Sequence, residues 1–276
     1  MATARLAVLG SPIAHSLSPD LHRAAYRVLG LDWAYDALEL TGDALPEFVR
    51  SRDSTWRGLS LTMPLKRNIL PLLDEVSEVA RETGSANTVV FGSGGDLRGF
   101  NTDVHGLTEG FVRAGVRSLG TALILGGGAT AASALVAARR LGASTIFVGV
   151  RSADRAAGLV EIGRAQGVTV QVRELERLIQ IDEPLDAVIS TLPNGVDVAV
   201  PLDSDIVREA TLFDVAYSPW PTPLAATWSG LTVIGGLEML VLQAHAQVRA
   251  FVNGDPEQPL DRDDEVLAAM LSAVGL

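Results

Sequence analysis

The sequence predicts an α/β protein with two domains, each built around a mostly parallel β-sheet. Apolar segments typical of buried strands alternate with helical segments, an order that indicates parallel sheets. From residue 121 onward, a strand, a glycine-rich turn, a helix and a second strand fit within about 30 residues, the length of one βαβ unit. A chain of 276 residues is long enough for two modest domains.

In the first domain we expect strands, helices and one hairpin in a fixed order. Ser18 is the expected N-cap of a helix, with Pro19 at its first position and Gly30 at its end. The hairpin joins ANTVVFG and DLRGFNTD through a glycine-rich turn. The other predicted elements are strands at 5–10, 33–40 and in WRGLSLTMP, and helices at 18–30, near 45–51, at 66–80 and in DVHGLTEGFVRAGV.

The second domain is predicted to be of the Rossmann type. After the βαβ unit, short strands are expected in VTVQV, DAVISTLP and TLFDVAY. A long helix in GLEMLVLQAHAQVRAFVNG and a last short helix within 255–276 then return to the first domain. We therefore expect residues 1–103 and 237–276 to form the substrate domain and residues 104–236 the nucleotide domain, with a cleft between them.

Composition excludes several classes of function. The formal net charge of −11 argues against nucleic acid and anionic membrane as partners. The absence of cysteine excludes disulfides, thiolate zinc sites and a cysteine nucleophile. The uncharged run at 121–138 has three glycines in its middle, which favours strand, turn and helix over a membrane span. With no signal-peptide pattern at the start, we expect a cytoplasmic protein.

A glycine-rich turn marks a dinucleotide site. Gly126, Gly127, Gly128 and Ala129 follow the strand ALIL, and the pattern G-x-G-x-x-A is complete at Ala131. The first glycine allows a tight turn, the second admits a pyrophosphate, and the small third position lets helix and strand pack closely.

The end of the following strand indicates the type of nucleotide. An acidic residue there would bind the ribose hydroxyls of NAD, but here Val150 is followed by Arg151, Ser152 and, one turn later, Arg155. Guanidinium groups can bind the 2′-phosphate of NADP bidentately, so we favour NADP(H). The alternative is that both arginines are solvated loop charges.

Candidate substrate residues are weaker signals when taken alone. Ser16 and Ser18 could bind a carboxylate near a helix start, although simple capping explains them better on spacing alone. His15 and His22 are more readily structural than catalytic. Lys66 and Asp103 gain interest as a pair, because a lysine beside a shielded carboxylate can hold and release the proton that ketone reduction requires.

Taken together, the motifs resemble the shikimate dehydrogenase family over nearly the whole chain. They are, in the family's order and spacing, GSPIAHSLSPDLH, GLSLTMPLK, GSANTV, GFNTD, GGGATA, VRSADRA, STLPNG, DVAYSPWPTPL and GLEMLVLQAHAQ. The serine loop, the lysine motif and the N-T-D motif together carry most of the specificity.

The resemblance implies a role for each matching residue. Lys66 would donate or relay the proton, with Asp103 paired to it. The implied substrate contacts are Ser16 and Ser18 for the carboxylate, Thr62, Asn87 and Asp103 for hydroxyls, and Tyr217 and Gln243 closing over the ring. The implied NADP contacts are Gly126, Gly127, Gly128, Ala129, Arg151, Ser152, Arg155 and Thr191, with Gly236 and Met239 near the nicotinamide.

Three motifs depart from the family pattern. Ser60 and Leu61 stand where Asn and Val are usual, which alters hydrogen bonding near the lysine motif. The usual arginine of the phosphate loop is missing from 130–132, which predicts weaker cofactor binding. Val150 replaces an Asn that often contacts the adenosine ribose, so the arginines must supply most of the discrimination.

The resemblance implies NADPH-dependent, reversible reduction of 3-dehydroshikimate to shikimate by a monomer or homodimer, without a metal ion. The first alternative is a quinate or quinate/shikimate dehydrogenase that uses NAD. The retained serine pair and arginines argue against it, because quinate-preferring relatives often alter both. The second alternative is a non-catalytic NADP-binding regulatory module, which the presence of Lys66 and Asp103 disfavours.

Overall fold

The computed structural model describes residues 3–193, 201–230 and 232–276. The chain forms two compact units, Met1–Gly106 with Leu240–Leu276 and Leu107–Met239. Each boundary lies three residues later than the position expected from the sequence, at Gly106 instead of Asp103 and at Met239 instead of Gly236. Both boundaries fall inside helices.

The first unit begins with a mixed, mostly parallel sheet. Its elements in chain order are β1 (Ala4–Gly10), α1 (Ser18–Leu29), β2 (Trp33–Glu39), α2 (Leu45–Arg50), β3 (Trp56–Leu61), α3 (Leu65–Asn68), β4 (Glu75–Val76), α4 (Glu78–Thr83), β5 (Thr88–Phe91), β6 (Leu97–Phe100) and the start of α5 (Asp103–Arg113). The strand order is β2-β1-β3-β5-β6-β4. Strand β5 runs antiparallel to β3 and β6, which confirms the predicted hairpin, and the other pairs are parallel.

The second unit contains a six-stranded parallel sheet. Its elements are β7 (Thr121–Leu125), α6 (Ala129–Arg140), β8 (Thr145–Val150), α7 (Ala157–Gln166), β9 (Thr169–Glu174), β10 (Ala187–Ser190), α8 (Ser204–Glu209), β11 (Thr211–Asp214), α9 (Pro223–Thr227) and β12 (Val233–Gly235). The strand order β9-β8-β7-β10-β11-β12 is that of a doubly wound dinucleotide-binding fold.

Two final helices complete the first unit. They are α10 (Gly236–Asn253), whose first turn belongs to the second unit, and α11 (Asp263–Ala273). Along β1, Leu6 and Val8 join a core cluster with α1, α10 and α11, while Ala7 and Leu9 join a separate cluster. Because strand side chains alternate between faces, this sheet is buried on both sides.

Two local predictions are wrong. Ser18 is the first residue of α1 rather than its N-cap, because the cap position is Leu17 and no side chain caps the helix. The helix expected at 66–80 is divided into α3, a 3₁₀ turn at Leu70–Leu72, β4 and α4. Pro71 has no N–H for a continuous helix, and Ser77 starts α4 by accepting a hydrogen bond from the Ala80 amide at 3.3 Å.

The apolar run at 121–138 forms β7, the glycine turn and most of α6. Within the described ranges, no helix is both long and apolar enough to cross a membrane.

Candidate active site

Four chain segments of the first unit meet at one edge of its sheet. Strands β1 and β3 are parallel and both end there, β5 begins there because it is antiparallel to β3, and β6 ends there because it is antiparallel to β5. Backbone hydrogen bonds from Thr62 to Leu9 (2.9 Å) and from Ser11 to Met63 (3.0 Å) join the segments that follow β1 and β3. The topology therefore places the serine loop, the lysine motif, Asn87 and the N-T-D motif along a single edge.

Lys66 and Asp103 form the central ion pair of this edge. The Lys66 Nζ lies 2.6 Å from Asp103 Oδ2, and their side chains are 14% and 4% exposed. Lys66 is in α3, directly after β3, and Asp103 is the first residue of α5, directly after β6. The carboxylate sits at a helix N-terminus, where the helix dipole favours negative charge. The pairing expected between these two residues is present in the structure.

Asn87 connects the ion pair to the sheet. Its Nδ2 donates to Asp103 Oδ1 at 2.8 Å, to Thr102 Oγ1 at 2.9 Å and to Gln243 Oε1 at 3.3 Å. Its Oδ1 accepts from the Thr102 amide at 2.9 Å and from the Thr88 hydroxyl at 2.8 Å. Because Nδ2 faces hydrogen-bond acceptors and Oδ1 faces donors, the buried amide has one orientation, which also fixes the orientation of the Asp103 carboxylate.

Asn101 holds the start of α5 and was not predicted from the sequence. Its Oδ1 accepts hydrogen bonds from the Asp103 and Val104 amides at 3.0 and 3.4 Å. Its Nδ2 donates to Thr83 Oγ1 at 2.9 Å and to the Ser85 carbonyl at 3.1 Å. The signal for this role was available, since an asparagine just before a helical segment is typical of a cap.

The other predicted substrate residues lie at or near this edge. Ser18 is buried and Ser16 half-buried, and the Ser18 amide donates to Ser16 Oγ at 3.3 Å. Thr62 is half-buried and its carbonyl accepts from the Leu65 amide at 2.8 Å. Gln243, on α10, is anchored by donation from Nε2 to the Leu240 carbonyl at 2.8 Å, so its Oε1 faces Asn87.

The two histidines considered from sequence differ. His15 is exposed, whereas His22 is fully buried and stacked on Tyr35 with ring centroids 3.9 Å apart. Burial lowers the pKa of His22 to about 3, so the ring is neutral.

In the second unit, the turn between β7 and α6 fits a dinucleotide. Gly126 has φ +115°, and a Cβ there would lie 2.4 Å from Thr191 Oγ1. Among the described residues, no atom other than those of its chain neighbours lies within 4 Å of the Cβ position of Gly128, so its backbone is open to a bound group at the N-terminus of α6. Thr191 is fixed by donation of its hydroxyl to the Leu125 carbonyl at 2.8 Å.

A glycine is required at position 127 for a reason that the G-x-G-x-x-A pattern does not show. A Cβ at this position would lie 2.4 Å from the carbonyl oxygen of Arg155. The turn after β7 therefore touches the backbone of the segment after β8. Arg151, Ser152 and Arg155 are exposed on that segment, and among the residues described no ion pair involves either guanidinium. These groups are available to bind an anion.

The remaining predicted residues of the second unit lie around its other strand ends. Tyr217 follows β11, is half-buried, and has its pKa raised by burial. Gly236 begins α10, where a Cβ would lie 2.0 Å from the Val215 carbonyl oxygen, and Met239 is buried one turn later. Asn194 and Gly195 of the STLPNG motif lie outside the described residues.

Comparisons with known proteins give the family. The model of the shikimate dehydrogenase substrate binding domain matches residues 8–89. A shikimate dehydrogenase (NADP(+)) from Methanosarcina mazei is 31% identical over 96% of this chain and 98% of its own. The chain therefore belongs to the shikimate dehydrogenase family.

Solved structures of the shikimate dehydrogenase family share this fold. The enzyme from Mycobacterium tuberculosis is 37% identical, with a TM-score of 0.85 over 98% of this chain and 99% of that one. The enzyme from Thermus thermophilus, solved in complex with NADP(H) and shikimate, is 31% identical, with a TM-score of 0.80 over 98% of this chain and 99% of that one. The predicted fold class of a substrate domain plus a Rossmann-type domain is confirmed.

Proposed function

We propose that this protein catalyses the NADPH-dependent, reversible reduction of 3-dehydroshikimate to shikimate, a step of chorismate and aromatic amino acid biosynthesis. The observation that carries this proposal is the shielded ion pair of Lys66 and Asp103, fixed by Asn87 at a sheet edge that also presents the serine loop. Family membership supplies the substrate class, and the buried pair supplies the proton that a ketone needs to become an alcohol.

NADPH, when bound, supplies the hydride that adds to the carbonyl carbon. Lys66 holds a proton on Nζ and delivers it to the ketone oxygen as the C–O bond becomes that of an alcohol. Asp103 stabilises the ammonium form before transfer and draws a proton back to Nζ from solvent afterwards. In the reverse direction, the neutral amine accepts the hydroxyl proton.

Substrate orientation is assigned to the polar groups around this pair. The hydroxyls of Ser16 and Ser18 would bind the carboxylate, and Thr62, Asn87 and Asp103 would bind the ring hydroxyls. Gln243 is already fixed with its Oε1 toward Asn87, and the family resemblance assigns the Tyr217 hydroxyl to the substrate as well. Hydroxyl and amide donors suit a monoanionic substrate because they bind charge without requiring a buried cation.

Cofactor binding is assigned to the second unit. The open backbone at Gly128, with Gly126, Gly127, Ala129 and Thr191 shaping the turn, would hold the pyrophosphate. Arg151, Ser152 and Arg155 would bind the 2′-phosphate and so favour NADP over NAD. Gly236 and Met239 would contact the nicotinamide. The expected cytoplasmic location and the monomeric or dimeric state remain predictions.

Initial rates with shikimate or quinate, each combined with NADP⁺ or NAD⁺, test this function at the absorbance band of the reduced nicotinamide. We expect the highest kcat/KM for shikimate with NADP⁺. A preference for quinate with NAD⁺ would support the quinate alternative instead. Binding of NADP⁺ without turnover of either acid would indicate a non-catalytic module.

A further inference from the structure

A buried polar cluster lies directly beneath the candidate active site. It consists of His22 on α1, Tyr35 on β2, Ser60 on β3 and Gln247 on α10, and we call it the polar cluster. All four are 3% exposed or less. The mechanism above uses none of them, yet polar groups are costly to bury unless each finds a partner.

The hydrogen bonds of the polar cluster run in one direction, from Tyr35 through Ser60 to Gln247. The Tyr35 hydroxyl donates to Ser60 Oγ at 2.6 Å, and Ser60 Oγ donates to Gln247 Oε1 at 2.8 Å. His22 Nε2 lies 3.2 Å from the same Gln247 oxygen, and His22 Nδ1 lies 3.2 Å from the Tyr26 hydroxyl. Because the amide oxygen can only accept, we assign the His22 proton to Nε2 and the role of acceptor to Nδ1.

Two donors on one oxygen leave a single orientation for the Gln247 amide. Its Nε2 consequently points at the main chain of the active site and donates to the Asn87 carbonyl at 3.1 Å. That carbonyl also accepts from the Leu61 amide at 2.8 Å. The side chain of the same Asn87 donates to Asp103 Oδ1. Hydrogen bonds on either side of Asn87, joined through the covalent structure of that residue, thus connect Tyr35 to the carboxylate paired with Lys66.

We infer that Gln247 is a positioning residue, which sets the main chain of Asn87 and thereby the geometry of the Asp103–Lys66 pair. The inference rests on the proposed function for its kinetic consequence. Gln247 lies one turn of α10 beyond Gln243, so one helix places one amide against the Asn87 side chain and another against its carbonyl. Such a fully satisfied network favours one arrangement, since any slip leaves a buried donor or acceptor without a partner.

The variant Q247E separates positioning from simple core packing. A protonated carboxyl has nearly the shape of the amide, and it can accept from Ser60 and His22 while donating to the Asn87 carbonyl. An ionised carboxylate would instead place an acceptor against that carbonyl. Among the described residues, the titratable groups bonded into this cluster are the neutral His22, Tyr26 and Tyr35. None of them offers a positive charge, and burial raises the pKa of a carboxyl in such a place.

We expect Q247E to add a new step to the pH profile of kcat, with turnover near the wild-type value at the acidic end and about tenfold lower once the introduced carboxyl ionises. Q247M should lose about tenfold in kcat at every pH, without the added step. In both variants the KM for NADPH should stay unchanged, because the cofactor residues belong to the other unit.

His245→Leu provides the matched control. His245 lies on the same helix, is 2% exposed, and bonds through Nε2 to the Asp263 carbonyl at 3.2 Å rather than to Asn87. His245 Nε2 also lies 3.3 Å from Asp263 Oδ1. H245L therefore removes the polar contacts of an equally buried side chain, so it should lower the thermal midpoint while keeping kcat within about twofold of wild type. A Q247E profile parallel to that of the wild type, or an unchanged kcat in Q247M, would overturn the inference.

A second measurement needs no turnover and so remains informative if the proposed function fails. The side-chain amide signals of Asn87 in ¹⁵N-resolved NMR should move or broaden in Q247M and stay in place in H245L. Wild-type protein without dehydrogenase activity would refute the function alone, whereas unchanged Asn87 signals in Q247M would refute the positioning role.

Discussion

The candidate substrate site of the first unit and the candidate cofactor site of the second unit are built differently. In the substrate site, the charged and amide groups are buried or half-buried and bonded to one another: Lys66 pairs with Asp103, and Asp103 accepts from Asn87. On the cofactor side, Arg151 and Arg155 are exposed on the segment after β8, and within the described chain neither has an ion-pair partner. The first arrangement is set by the protein itself, while the second offers cationic groups that can bind a phosphate.

This difference assigns separate kinetic roles to the substrate site and the cofactor site. A preorganised ion pair acts on the step in which charge moves, so damage to it should appear in kcat. Exposed arginines bind a phosphate equally in the ground and transition states, so damage to them should appear in KM for the cofactor. Substitutions in each site can therefore test whether effects on kcat and effects on KM for the cofactor are separate.

Lys66→Ala should give the largest effect. It removes the proton donor, and we expect kcat to fall by about 10²- to 10⁴-fold, the usual range for a general acid, with substrate affinity nearly kept. Steady-state rates with shikimate and NADP⁺ measure kcat, and an equilibrium titration with shikimate measures the substrate affinity. Unaltered turnover in a folded K66A protein would refute the catalytic role of Lys66.

The double variant R151A/R155A should produce a smaller and complementary effect. Charge-assisted hydrogen bonds to the 2′-phosphate would be lost, so KM for NADP⁺ should rise by about 10- to 100-fold with kcat nearly unchanged. KM for NAD⁺ serves as the internal control, since NAD⁺ lacks that phosphate and its KM should hardly move. An equal rise for both cofactors would show that the arginines act on the loop rather than on the phosphate.

Sequence patterns predicted the cofactor unit more completely than the substrate edge. The βαβ unit is local, because strand, turn and helix follow one another and the glycines report a backbone requirement that a single sequence displays. Even there, the constraint on Gly127 could not be read from the fingerprint, because the obstructing Arg155 carbonyl belongs to a later segment.

The substrate edge depends on strand order, which the residues alone did not give. Lys66 and Asp103 are 37 positions apart, and they meet because β5 and β6 form a hairpin whose direction makes β6 end at the same edge of the sheet as β3, one strand away. The pair could be suspected from chemistry and from the resemblance to a known family. The contributions of Ser60 and Gln247 could not be predicted, because the two residues joined by this hydrogen bond are 187 positions apart.

The adjacent residues Gly127 and Gly128 allow a test that separates an effect on folding stability from an effect on ligand binding. Gly127→Ala would place a Cβ 2.4 Å from the Arg155 carbonyl oxygen, and a backbone group cannot easily move aside. We expect this variant to lose on the order of 1–3 kcal/mol in the free energy of unfolding, measured by chemical denaturation of the protein without cofactor.

Gly128→Ala is the matched control, because in the part of the chain that the structure describes only its chain neighbours lie within 4 Å of the added Cβ. Its free energy of unfolding should stay within about 0.5 kcal/mol of the wild type, as for substitutions that disturb no packed feature. Its KM for NADP⁺ should nevertheless rise several-fold, because the methyl group stands where the pyrophosphate must approach the backbone. If G128A lost stability and G127A did not, the assignment of the two glycines would be reversed, and the phosphate would have to approach the turn from its other side.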